Sequence, residues 1–165
     1  MIVARFSAEA AHGLGPAPDY HALGTFAETW AFLELFVGRC AQLVAGEDQD
    51  EAEASLQGRL DALDAAMRLA PELYELADET LALTAEIRSV ASKRQAALQD
   101  LARASLSRLG VGLFALPAAA LGPNAVGGGL CASKAVDELH MKACDLVRRT
   151  LLLLSALQER ASQSV

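Results

Sequence analysis

The chain has 165 residues, a length typical of one domain, and 53% of them are apolar, which is enough for a buried core and excludes general disorder. The net charge of −7 gives no general attraction to phosphate backbones or anionic lipid surfaces, so no nucleic-acid partner is expected and membrane contact is disfavoured. The 34 alanines and 28 leucines favour helices, whereas aromatic residues make up only 5%. This composition predicts an all-α protein and excludes a β-sandwich or barrel.

The cysteines and the first residues bear on the cellular compartment. Cys40, Cys131 and Cys144 leave at least one thiol unpaired and form no Cys-x-x-Cys motif, which favours a reducing compartment. The N-terminal residues have no long apolar run after a basic start, so we expect a cytoplasmic protein. Glycines and prolines between positions 13 and 18 interrupt any helix, so residues 1–22 are predicted to be an irregular arm.

Hydrophobic periodicity predicts four amphipathic helices in a single domain, residues 23–165. Such helices pack as an antiparallel four-helix bundle, up-and-down by default, although four similar helices can be connected in several packing orders. The predicted elements are helices at about 25–45, 50–69, 71–109 and 130–161, and a long apolar Gly/Pro-rich loop at 110–129 before the last helix.

The first predicted helix begins at a capping box, because Thr25 and Glu28 have the required spacing. Its apolar residues recur every three or four positions, as on a helix face that packs against a core. They are Phe26, Trp30, Leu33, Val37, Cys40 and Val44. Phe32, Leu35 and Phe36 widen this stripe, so the helix is predicted to be buried on more than one side.

The third predicted helix is too long to be matched by its neighbours. It would rise about 58 Å at 1.5 Å per residue, so we expect either a kink near residues 89–92 or an outer end that pairs with another subunit. Arg94 falls on its apolar seam, where it could pair with Asp137, extend to solvent or meet a ligand carboxylate.

The segment between Arg108 and Lys134 contains 25 residues and no charge. Its length would suit a membrane span, but Pro117, Pro123 and six glycines would repeatedly break the backbone hydrogen bonding that lipid requires. Three interpretations remain: a loop folded over the end of the bundle, a contact with another subunit or partner, or a lid over a pocket or a hairpin that touches a membrane. The candidate interface residues in it are Leu113, Phe114, Leu116 and Leu121.

The last helix places Asp137, His140 and Cys144 on one face, a spacing that could supply metal ligands or a thiol with its base. A di-metal carboxylate bundle would need a Glu-x-x-His motif on a second helix, and the other two histidines, His12 and His21, lie in the predicted irregular N-terminal segment. We therefore predict no metal site, no cofactor and no catalytic residue. Candidate ligand-binding residues are Trp30, Arg94, His140 and Cys144.

Together these features predict a non-catalytic helical-bundle protein that acts through protein–protein contacts, as a homo-oligomer or with a protein partner. The basis is the wide apolar face of each helix, the overlong third helix and the uncharged segment. The alternative is a catalytic bundle, or one that binds a small apolar or anionic ligand, with an apolar pocket between the first and last helices gated by the 110–129 loop.

Overall fold

A computed structural model describes residues 19–45, 55–108 and 128–163, and every regular element in these ranges is helical. The predicted all-α four-helix bundle is confirmed. The helices are α1 (Tyr20–Ala45), α2 (Leu56–Leu69), α3 (Tyr74–Arg108) and α4 (Gly128–Gln163), with a short 3₁₀ turn at Pro71–Leu73 between α2 and α3.

Helix α1 begins five residues before its predicted start because a different residue caps it. The carboxylate of Asp19 accepts hydrogen bonds from the backbone N–H groups of His21 (2.9 Å) and Ala22 (3.0 Å), which would otherwise be unpaired. The hydroxyl of Thr25, the predicted cap, instead donates to the carbonyl of His21 inside the helix. The end of the predicted arm, from Tyr20 onward, is therefore helical.

Helix α2 is shorter than predicted and α3 is continuous. Ser55 has an extended backbone and its hydroxyl accepts from the N–H of Gly58 (3.2 Å), so α2 begins at Leu56 rather than at residue 50. Helix α3 runs as one helix across the position where a kink was considered. The predicted loop lies outside the described residues as far as residue 127, and α4 begins at Gly128.

The helices form a ring in which α1 contacts α2 and α4, and α3 contacts the same two helices from the opposite corner. Helices α3 and α4 are antiparallel, because Glu86 pairs with Arg149 (2.6 Å) and Glu75 pairs with Arg160. Helices α2 and α3 are also antiparallel, because Thr84 on α3 contacts Asp64 on α2, whereas Arg88, one turn later on α3, contacts Asp61, one turn earlier on α2. Arg88 lies 2.9 Å from both Asp61 and Asp64.

Helices α1 and α4 run in the same direction. Thr29 contacts His140, and the thiol of Cys40 lies 3.9 Å from the carbonyl of Thr150. The paired residue numbers differ by 111 and 110, an almost constant difference that only parallel helices give. The predicted up-and-down order, in which each helix is antiparallel to the next, therefore holds for α2, α3 and α4. Helix α1 departs from it, because it lies parallel to both α2 and α4.

The chain between α1 and α2 is long enough for this parallel arrangement. Fourteen residues of α2 rise about 21 Å, and the ten residues from 46 to 55 can span about 33 Å when extended. Helices α1 and α2 approach closely at Gly38, where the side chain of Arg59 lies across the backbone and donates to the carbonyl of Glu34 (3.3 Å). A Cβ at position 38 would lie 3.2 Å from Arg59 Nη1.

The core lies along the axis of this ring and follows the predicted periodicity. On α1, five of the six predicted seam residues are at most 2% exposed, and only Val44 is half-buried. On α4 the core face is centred on Leu139, Leu146 and Leu153, which turns His140 toward α1. None of the described helices is long and apolar enough to cross a lipid bilayer.

Substituting each of two buried threonines on α3 should change the stability of the protein in opposite directions. The Thr80 hydroxyl has no hydrogen-bond partner among the described residues, whereas that of Thr84 donates to Asp64 (2.6 Å). Thr80→Val removes an unpaired buried polar group and should raise the free energy of unfolding by about 1 kcal/mol, whereas Thr84→Val should lower it by about 1–2 kcal/mol. Urea unfolding followed by circular dichroism measures both, and shifts of the same sign would contradict the assignment.

Candidate functional site

Three of the four predicted ligand-binding residues lie in a row across the bundle, well inside helices α1, α3 and α4. The Arg94 guanidinium carbon lies 5.0 Å from the centroid of the Trp30 ring, and the Phe26 ring lies 6.3 Å from both Trp30 and His140. The row therefore passes from α3 through α1 to α4. Cys144, the fourth residue, is one turn further along α4 and exposed.

Both the indole N–H and the ring of Trp30 have partners within the protein. The residue is 2% exposed, and its indole N–H donates to the carboxylate of Glu34 at 2.5 Å. Phe26 meets it edge to face, and Arg94 lies over the ring in a cation–π contact. These contacts hold the indole as part of the core.

The position of Arg94 follows from where α2 begins. The carbonyl of Glu34 accepts from Arg59, so Leu56 at the start of α2 lies at about the height of Trp30. At this height α2 contributes only its first turn to the corner between α1 and α3. Arg94 covers the indole there, which explains why a charged residue occupies the apolar seam of α3.

The polar contact of His140 joins α1 to α4. Its Nε2 lies 3.2 Å from the hydroxyl of Thr29, which also lies 2.9 Å from the carbonyl of Thr25. Because the hydroxyl has one proton, it donates either to that carbonyl or to the ring, and in the first case Nε2 is the donor.

Cys40 and Cys144 differ in chemistry. Cys40 is buried between α1 and α4, and burial raises the pKa of its thiol to about 12. Cys144 and Asp137 are exposed, but the described residues contain no group of three side chains placed to share a metal ion. The spacing of Asp137, His140 and Cys144 therefore does not become a three-ligand cluster.

A second candidate surface lies on the outside of α1 and α4, and sequence reasoning had assigned part of it to the core. Phe32 and Leu35 are 47% and 54% exposed, so the prediction that α1 is buried on more than one side is wrong for the isolated chain. The rings of Phe32 and Phe36 stack with centroids 6.3 Å apart. The sequence shows that the apolar stripe of α1 is broad, but the breadth does not tell whether helices of the same chain or a second molecule cover its outer residues.

We call this surface the outer α1/α4 face, and it consists of one stripe on each helix. The α1 stripe includes Glu28 and Phe32, which lie before and after Thr29, the residue that contacts α4. The α4 stripe includes Asp137 and Met141, which lie before and after His140, the residue that contacts α1. At its centre and far end it is apolar apart from two arginines. Its residues are Glu28, Phe32, Phe36, Arg39 and Leu43 on α1, and Asp137, Met141, Cys144, Arg148 and Leu151 on α4.

The predicted interface residues Leu113, Phe114, Leu116 and Leu121 lie outside the described residues. Comparison with known protein families, with curated proteins and with solved structures gives no significant match. The functional interpretation is therefore based on the geometry of the two surfaces described above.

The contact between Arg94 and Trp30 can be measured directly, because Trp30 is the only tryptophan. Arg94→Ala should uncover the indole, shift its fluorescence emission to longer wavelength and lower the free energy of unfolding by about 1 kcal/mol. Lys93→Ala, an exposed neighbour on α3, is the matched control and should leave the emission unchanged. An unchanged spectrum in Arg94→Ala would contradict the contact.

The cysteines should differ sharply in reactivity. In a Cys131→Ser background at pH 8, iodoacetamide should modify Cys144 much faster than Cys40, because Cys40 is inaccessible and its raised pKa keeps the thiol protonated. Mass spectrometry of peptides from the native protein measures both rates, and labelling in urea provides the control in which both react. Equal rates in the native protein would refute the burial of Cys40.

Proposed function

We propose that this chain is a cytoplasmic, non-catalytic helical-bundle protein that acts through protein–protein contacts, as a homo-oligomer assembled through the outer α1/α4 face. The observation that carries the proposal is the stacked Phe32–Phe36 pair with exposed apolar side chains around it. Single exposed apolar residues are common on monomers, whereas a contiguous group on adjacent helices is typical of an interaction surface.

The composition of the face supports an interface. Aromatic residues, methionine and arginine are enriched where proteins bind each other. Phe32, Met141 and Leu151 are 47%, 70% and 40% exposed, and Leu43 extends the apolar surface at 42%. Covering these side chains would remove apolar surface from water without disturbing the core beneath them.

The alternative, a ligand site between α1 and α4, has less support. The indole N–H of Trp30 is already bound to Glu34, and the ring face is covered by Arg94. The Nε2 of His140 is already in hydrogen-bond contact with the hydroxyl of Thr29. A ligand at this position would have to displace contacts that already join α1, α3 and α4.

Association should depend on the apolar centre of the face. Phe32→Ser removes a half-exposed aromatic ring and should weaken self-association at least about tenfold, since burying such a side chain contributes about 1.5–3 kcal/mol. Leu69→Ser, on α2 outside the face and 81% exposed, is the matched control and should associate as the wild type does. Sedimentation equilibrium over a range of protein concentrations measures the constants.

Two results would contradict the proposal. The first is a wild-type protein that remains monomeric at micromolar concentration and binds no dye specific for apolar surface. The second is an oligomer whose association constant is the same in Phe32→Ser and Leu69→Ser, because the outer α1/α4 face would then lie outside the contact.

A further inference from the structure

The charges on the outer α1/α4 face follow the same order on both helices. On α1, Glu28 precedes Arg39 by 11 residues, and on α4, Asp137 precedes Arg148 by 11 residues. Eleven residues correspond to about three helical turns and a rise of about 16 Å, so each acid and its base lie on the same side of their helix. All four side chains are exposed.

The parallel packing of α1 and α4 places the two acids at one end of the face and the two bases at the other. Glu28 is adjacent to Thr29, and Asp137 lies less than one turn before His140, the residue that Thr29 contacts. Similarly, Arg39 and Arg148 lie within two residues of the contact between Cys40 and Thr150. Phe32, Phe36 and Cys144 lie between the acidic and the basic end.

From this charge order we infer that two copies of the chain pair face to face with their helices antiparallel, an inference that rests on the proposed function. In this arrangement Glu28 lies opposite Arg39 of the second copy, and Asp137 lies opposite Arg148 of the second copy. A parallel pairing would place acids opposite acids and arginines opposite arginines. Only the antiparallel arrangement turns every one of these contacts into an attraction.

One two-fold axis satisfies both helices. The midpoint between Glu28 and Arg39 falls between Leu33 and Glu34, and that between Asp137 and Arg148 falls between Lys142 and Ala143. These midpoints differ by 109 in residue number, close to the 110 and 111 that relate residues at equal height on α1 and α4. The two charge patterns are thus centred within about one turn of each other, as a single axis requires.

The arginines can make these contacts without giving up those they already have. Arg39 donates to Gln42 (2.9 Å), and Arg148 donates to Asp145 (3.1 Å) while 72% of its side chain remains exposed. A guanidinium has five N–H donors, so each arginine retains donors for a carboxylate of the second copy. The apolar side chains between the charged ends then meet at the centre of the interface.

Cross-linking distinguishes the two orientations, because Cys144 lies next to the inferred axis. In a Cys131→Ser background, bis-maleimidoethane should join Cys144 to Cys144 of the second copy. Measured along the paired α4 helices, the two positions are only about three residues apart. The matched control is Cys144→Ser combined with Ser155→Cys, which moves the thiol to another exposed position on the same side of α4. The two thiols introduced at position 155 would lie about 37 Å apart along the helix direction and should not cross-link. Cross-linking of both variants to the same extent indicates parallel helices and overturns the inference.

Charge exchange tests the pairing independently. Glu28→Arg with Asp137→Arg, and Arg39→Glu with Arg148→Glu, should each weaken self-association at least about tenfold, because attractions become repulsions. The variant that carries all four substitutions restores every opposite-charge pair and should associate within about threefold of the wild type. Sedimentation equilibrium at low and moderate salt measures the constants.

The outcomes separate this inference from the proposed function. A monomeric wild-type protein refutes both. A wild-type dimer that Phe32→Ser weakens, but whose association is unchanged by either double charge reversal or is not restored by the fourfold exchange, leaves the proposed function standing and refutes the antiparallel pairing. The antiparallel pairing is supported if the wild type dimerises, both double variants associate more weakly and the fourfold variant recovers the wild-type association. It also requires a cross-link at position 144 and none at position 155.

Discussion

The parallel packing of α1 against α4 is the constraint on which the rest of the bundle depends. Thr29 with His140, and Cys40 with Thr150, fix both the direction and the height of the two helices. Helix α3 then runs antiparallel to both α4 and α2. Its ion pairs include those of Glu86 and Glu75 with α4, and those of Arg88 with α2. Because α1 and α4 share a direction, their similar stripes become one surface rather than two unrelated ones.

The shortness of α2 explains the least expected contact of the core. A 14-residue helix cannot line the full length of α1 or α3, which have 26 and 35 residues. At the height of Trp30, where α2 begins, the guanidinium of Arg94 lies over the indole. The aliphatic part of arginine can pack against the core while the charged group lies over the indole, so a charged residue is tolerated on an apolar seam.

Periodicity predicted the core well and the element ends less well. Phe26, Leu33 and Val37 are buried as their spacing requires, because a helix face that packs on a core needs apolar residues every three or four positions. The start of α1 depends on which of two nearby residues caps the helix, and Asp19 rather than Thr25 does so. The direction of α1 could not be read from its sequence, because amphipathicity is the same in either direction and only specific contacts such as that of His140 distinguish them.

The outer α1/α4 face shows why apolar width alone does not predict burial. Phe32 and Phe36 extend the same stripe as Trp30, yet the four helices of one chain leave Phe32 exposed because α4 covers only one side of α1. A purely solvated surface would not require two acids and two bases in the same order, at matching heights, on separate helices. Together, an apolar centre and oppositely charged ends favour a surface that recognises an inverted copy of itself, since inversion alone brings each charge to its opposite.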